Sequence, residues 1–263
     1  MAIHLTRIDE LALITLDRPV VLNALNFALL RDLGAELDQV AGGDARALLV
    51  TGAGDRAFCA GADMRAENEP SGLEYWMRTR PGGFGGIALR ETLDVPLIAR
   101  VNGYALGGGM EMVLGCDIVI ASRTATFGLP EPRVGRLPLE GGIALLPRRI
   151  SHVQAMGMLL TGRRINAEEA LAFGLVNEVA APDQLDAAVE RWVADVLACA
   201  PLSLRAIKQM VRRGAGLSPQ EAQMLRLPAL IAALNSTDQD EGVQAFREKR
   251  APRWTGAQRK PPR

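Results

Sequence analysis

Aromatic residues make up only 4% of the 263 residues, and histidine occurs just twice, at His4 and His152. With 48% of the chain hydrophobic, a core must therefore be built mainly of aliphatic side chains. No Cys or His pair has ligand spacing, so the sequence offers no metal site. Bases for an activated nucleophile are equally scarce. Ser151 precedes His152 at a helix start, where it reads as an N-cap, and Cys59 reads as a small packing residue. Cysteine is sparse and odd in number: Cys59, Cys116 and Cys199 suit reduced thiols and a cytoplasmic setting. Neither sign of charge is in excess, since 30 basic and 30 acidic side chains cancel to zero. That balance gives no pull toward nucleic acid or an anionic membrane. No apolar run reaches the roughly 18 residues of a membrane span, and no basic segment leads into an apolar one as in a secretory leader. Linkers, internal repeats and charge blocks are also missing, so the length suits one large domain or two small ones.

What is present is alternation. Strands read at IHLTRI, LALITLD, RALLVTG, PLIARVN and CDIVIA, and a helix reads over 27 to 40 from Leu30, Leu33, Leu37 and Val40. This order predicts an α/β protein with right-handed crossovers and a mostly parallel sheet. The second half reads as helical. Asn166 to Glu169 resembles a capping box, and Ser218 to Glu221 forms another with Pro219 at the first helical position. Over 182 to 199, Leu185, Val189, Trp192, Val193, Val196 and Leu197 make one apolar stripe. Gly52, Gly54 and Ala57 match a dinucleotide fingerprint after a strand. No helical stripe follows, however, so a turn is expected there.

The stretch VNGYALGGGMEMVLGCDIVIASRTATFGLPE, residues 101 to 131, carries the most chemistry. A strand ends at Asn102-Gly103, and glycines 107 to 109 then open a short apolar helix. A bare helix N-terminus presents unsatisfied N–H groups and a positive dipole end, which suits an oxygen gaining negative charge. Glu111 falls one turn into that helix. Glu131 lies twenty residues further on, and a returning strand and turn are expected to bring it opposite. Two carboxylates facing one oxyanion site suit proton transfer beside a carbonyl, one as acid and one as base. Taken singly, each also reads as an ordinary surface glutamate.

GYALGGGMEMVLGCDIVIAS with FGLPE, together with AFCAGADM at 57 to 64, resembles the crotonase, or enoyl-CoA hydratase/isomerase, superfamily. LITLDRPVVLNALN, LTGRRINAEEALAFGLVNEV and AFREKR extend the resemblance over nearly the whole chain in the expected order. It implies a crotonase-like spiral of ββα units over 1–200, containing a CoA thioester site. A C-terminal helical region over 201–263 is implied for trimerisation and CoA contact. It further implies that backbone N–H groups of Ala62 and Gly108 hold the thioester carbonyl, with Ala60, Asp63, Met64 and Gly107 around the substrate. The reaction implied is hydration of a 2-enoyl-CoA, or the reverse dehydration, with no cofactor beyond the CoA moiety of the substrate. Glu111 would activate water at C3 and Glu131 would protonate C2. A homotrimer or dimer of trimers is implied. Within the superfamily, an isomerase working through the Glu131 position alone is an alternative. PEPRVG and EKRAPRWTG are similar to carnitinyl-CoA dehydratases. A non-catalytic or RNA-binding relative would not require both glutamates.

Other positions depart from the family pattern or stay open. Many relatives have a lysine where this chain has Val20. That leaves Arg18, beside Val20 and Leu22, or Phe246 and Lys249 of AFREKR, as candidates for contact with CoA. Those C-terminal residues also read as a solvated amphipathic helix end. The family's IPGAGG becomes LPLEGG, which puts Glu140 near the pocket, where it is expected to face the distal end of the acyl group. Residues 66 to 86 carry Trp76 and Phe84 among glycines and prolines. They read either as a surface excursion or as a flap over the acyl group.

Overall fold

The computed structural model describes residues 2–67, 70, 72–77 and 82–259. The chain forms two compact units, one of residues 1–93 and 97–191, the other of 94–96 and 192–263. The boundary thus falls at 191/192 and not at the expected 200/201.

In the first unit the elements run β1 (Ile3–Ile8), β2 (Leu11–Leu16), α1 (Phe27–Gly42), β3 (Ala47–Gly52), β4 (Ala57–Cys59), α2 (Gly72–Met77), β5 (Leu97–Val101) and β6 (Tyr104–Leu106). They continue as α3 (Gly108–Gly115), β7 (Ile118–Ser122), β8 (Thr126–Gly128), α4 (Gly142–Arg149), α5 (His152–Thr161), β9 (Arg164–Asn166), α6 (Ala167–Ala172) and β10 (Glu178–Ala180). After α7 (Leu185–Leu197), the second unit holds α8 (Pro201–Gly214), α9 (Pro219–Gln223), α10 (Pro228–Leu234) and α11 (Asp238–Glu248).

The five strands expected from the sequence all form, and they lie in one six-stranded sheet, ordered β1-β2-β3-β5-β7-β10. The β1–β2 pair is antiparallel and every other pair is parallel. β3 is buried along its whole length, as an inner parallel strand covered on both faces must be. Asn26 caps α1 by accepting from the Leu29 N–H at 3.0 Å, and Leu33, Leu37 and Val40 of that helix enter the core.

A second, four-stranded sheet, ordered β4-β6-β8-β9, is a finding beyond the expected single sheet. Each long strand β3, β5 and β7 is followed at once by a three-residue partner, β4, β6 or β8, so the ββα repeat is explicit. The glycine-rich segment after β3 runs into β4 without opening a helix, which removes the dinucleotide reading. Both expected capping boxes form, and a third closes at Ser151 and Gln154.

In the second unit α8 packs against α10. Trp192, Leu225, Leu227 and Leu230 are half-buried there. Exposed apolar surface instead comes from Ile207 and Val211 on α8 and from Ile231 and Leu234 on α10. No helix among the described residues is long and apolar enough to cross a membrane. None of the three cysteines forms a disulfide; Cys59 and Cys116 are buried and Cys199 is exposed.

Candidate active site

The strands β4, β6 and β8 are adjacent and parallel, so their C-terminal ends share one edge of the small sheet. Ala60-Gly61-Ala62 leaves the end of β4, Gly107-Gly108 leaves β6, and Leu129-Pro130-Glu131 leaves β8. Neighbouring strands lie about 4.8 Å apart. Sheet order alone therefore sets two candidate donors and a carboxylate side by side at the strand ends, where parallel sheets commonly bind ligands.

Ala62 is held by a parallel bridge to Leu25. The Leu25 N–H donates to the Gly61 carbonyl and the Asp63 N–H to the Leu25 carbonyl, each at 2.9 Å. A residue bracketed in this way points its own N–H away from the partner strand. Gly61 has a φ of +91°, and a Cβ built there would lie 2.9 Å from the Gly108 nitrogen. The two candidate oxyanion segments thus meet backbone to backbone. Gly108 is the first residue of α3, where its N–H has no carbonyl within the helix.

Glu111 is the only charged residue of α3, a helix buried almost all round. Its side chain is 3% exposed. Its Oε1 accepts from the Gly142 N–H at 2.9 Å, so the start of α4 grips it. Arg149, at the other end of α4, donates to the Leu114 and Cys116 carbonyls and ties α4 to α3. Glu131 comes from a 3₁₀ turn, and its carboxylate faces the same glycines: a Cβ on Gly107, whose φ is +55°, would stand 3.0 Å from its Oε1. The other oxygen, Oε2, is buried and has no hydrogen-bond partner among the described residues. The expected fold-back thus brings Glu111, Glu131, Ala62, Gly107 and Gly108 together.

Burial pushes the Glu111 carboxyl up to about 8, despite the Gly142 N–H bond that lowers it; the charges of Glu131 and Glu140 raise it further. Burial also raises Glu131. Glu131 is only half-buried, and its charge helps hold a proton on Glu111. The two carboxyls act as one coupled pair that keeps a proton at neutral pH.

Several expected site residues fall elsewhere. Phe84 is not on a mobile flap. It is 2% exposed, its N–H donates to the Glu140 carbonyl at 3.1 Å, and its ring occupies the space where a Gly108 side chain would be. An aromatic ring among glycines read as loop because the partner that buries it is a distant glycine. Trp76, on α2, is 60% exposed and Met64 is exposed; the rest of the flap reading at 68, 69, 71 and 78 to 81 lies outside the described residues. Arg18 is not held out toward a phosphate. Its Nη1 pairs with the Asp63 carboxylate at 2.9 Å and donates to the Ala24 carbonyl at 2.6 Å. Asp63 is correspondingly engaged. Ala60 donates its N–H to the Leu22 carbonyl, and Val20 is 90% exposed. Glu140 is buried within electrostatic reach of Glu111. Phe246, exposed on α11, and Lys249, its left-handed C-cap, belong to the second unit. The sequence reading missed Gly142, whose only signal was the glycine pair closing LPLEGG.

The family model for enoyl-CoA hydratase/isomerase matches residues 7–258. The chain belongs to that family, has its crotonase fold, and is an enzyme. A carnitinyl-CoA dehydratase of Proteus mirabilis (strain HI4320) is 38% identical, covering 97% of this chain and 98% of its own. One from Salmonella typhi is 36% identical with the same coverage. Among solved structures, an enoyl-CoA hydratase from Mycobacterium tuberculosis H37Rv is similar with a TM-score of 0.86 at 35% identity, covering 97% of this chain and 99% of that one. An enoyl-CoA hydratase from Bacillus anthracis is similar with a TM-score of 0.90 at 32% identity, covering 98% and 100%.

Proposed function

We propose that the protein interconverts 3-hydroxyacyl-CoA and 2-enoyl-CoA thioesters by removing or adding water, using Glu111 and Glu131 around an oxyanion site made by the Ala62 and Gly108 N–H groups. The observation that carries this reading is the convergence of two carboxylates, buried Glu111 and half-buried Glu131, beside one glycine turn at a helix start. In the dehydration direction, ionised Glu131 takes the C2 proton. The electron pair moves toward the thioester oxygen, whose growing charge meets the two N–H groups. The C3–O bond breaks, and protonated Glu111 gives its proton to the departing hydroxide, releasing water. Hydration runs the same steps backward, with Glu111 taking a proton from water and Glu131 returning one to C2.

The resting proton on Glu111 matches the protonation state that starts dehydration. That order favours a dehydratase over an isomerase served by Glu131 alone, without altering the equilibrium between the two thioesters. No further cofactor enters these steps. On this reading residues 1–200 carry the thioester site, and 201–263, with Phe246 and Lys249, serve assembly and CoA contact. A homotrimer or dimer of trimers, working in a reducing cytoplasm, completes the proposal.

Turnover of 3-hydroxybutyryl-CoA and crotonyl-CoA by Glu111→Gln and Glu131→Gln tests it. Each variant should lose about 10²- to 10⁴-fold in rate, as expected for removal of a proton-transfer group. Near-normal turnover by either would sink the two-carboxylate reading, and isomerisation surviving in Glu111→Gln alone would favour the isomerase.

A further inference from the structure

Glu140 is 8% exposed, an unusual place for a carboxylate. Its own peptide joins the two halves of the site. The Glu140 carbonyl accepts from the Phe84 N–H, and the Phe84 ring packs on Gly108. Gly141 follows at a φ of +141°, with the position of its absent Cβ 3.8 Å from the Glu111 Cβ, and the next N–H, that of Gly142, donates to Glu111. The turn therefore wraps Glu111, and it carries the Glu140 side chain within electrostatic reach of that carboxyl.

We infer that Glu140 is a positioning residue of this site: its buried charge, carried by the turn that grips Glu111, keeps the working proton on the Glu111–Glu131 pair. The inference rests on the two-carboxylate reading and extends it to a residue that acts through Glu111. Among the described residues, the groups acting on Glu111 are the Glu131 carboxylate from the turn after β8, the Glu140 carboxylate from the turn before α4, and the N–H groups of Gly142 and Glu140. The N–H groups favour ionisation, and the two carboxylates oppose it. Arg149, the cation ending α4, is spent on carbonyls at the far end of α3. Removing the Glu140 charge takes away one of the two repulsions, so Glu111 gives up its proton at lower pH. Activity in either direction requires one proton on the pair, and the alkaline limb of the kcat/KM profile should follow.

Infrared titration of the buried protonated carboxyl, assigned by its loss in Glu111→Gln, reads this without relying on turnover. The pH profile of kcat/KM for 3-hydroxybutyryl-CoA gives the functional counterpart. In Glu140→Gln the infrared midpoint and the alkaline limb should both fall by roughly one pH unit, a tenfold lower kcat/KM well above the limb. Glu140→Asp, which keeps the charge, should hold both close to the unmodified protein. An unmoved midpoint in Glu140→Gln overturns the inference, as does an equal fall in Glu140→Asp, which would make shape the cause. If Glu140→Gln does not fold, Glu140→Ser carries the same comparison. Full turnover by Glu111→Gln would instead defeat the underlying two-carboxylate reading, whatever the midpoints.

Discussion

At the scale of single residues, the carboxyl of Glu111 links chemistry to stability. Its ionisation lies near 4.5 in an unfolded chain and about 8 in the folded one. Between those values the folded protein binds the extra proton, so stability falls as pH rises through the window and levels off above it. Glu111→Gln removes that penalty while keeping the side chain's size and an oxygen for the Gly142 N–H. The variant should therefore melt above the unmodified protein at about pH 8, by an amount on the order of a few kcal/mol, with the gap closing toward about pH 5. Paired melting curves at the two pH values check this; a Gln variant less stable at both would mean that Glu111 enters the fold already satisfied as an anion. A stabilised but inactive variant is the trade expected where a site holds a group the fold alone would not choose.

At the scale of elements, legibility followed length. Five of the six strands of the large sheet were plain because five or six residues rich in apolar or β-branched side chains leave a readable pattern; β10, with three, did not. β4, β6, β8 and β9 have three residues each, too few to show any period, and three of them carry the site. The glycines and glutamates were legible as chemistry, whereas the edge that aligns them was not. Nor was the Arg18–Asp63 pair legible, because 45 residues separate its members and tertiary pairing, the Leu25–Ala62 bridge and the Ala60–Leu22 bond, brings them together. That pair fastens the Ala62 loop to the turn after β2. Gly61 shows how tight the joint is. A methyl there would press on both the Gly108 nitrogen and the Leu106 carbonyl, at 2.9 Å each, on a backbone that already needs positive φ. Gly61→Ala should cost about 10²- to 10³-fold in kcat, the scale of one displaced oxyanion donor, with a smaller change in KM. Steady-state kinetics on crotonyl-CoA decide the point, and an unchanged kcat would separate the Gly61 junction from the oxyanion site.

At the scale of the whole molecule, apolar side chains remain on the outer faces of packed helices. Ile207 and Val211 sit one turn apart on α8, and Ile231 and Leu234 repeat the pattern on α10. Surfaces of this kind usually meet a partner, and light scattering at micromolar concentration should return three or six times the mass of one chain; a monomer would leave these faces unexplained. The thiols give the molecule one further property. Cys59, enclosed beside the Gly61 N–H, has its ionisation pushed up to about 12 by burial, and Cys116 is enclosed as well. Only a thiolate attacks an electrophile readily. Of the three thiols, the exposed Cys199 in the second unit is thus the one open to alkylation in the native state. A single dye or spin label can be placed on each chain there without removing any cysteine, leaving the first unit and its glutamates chemically untouched.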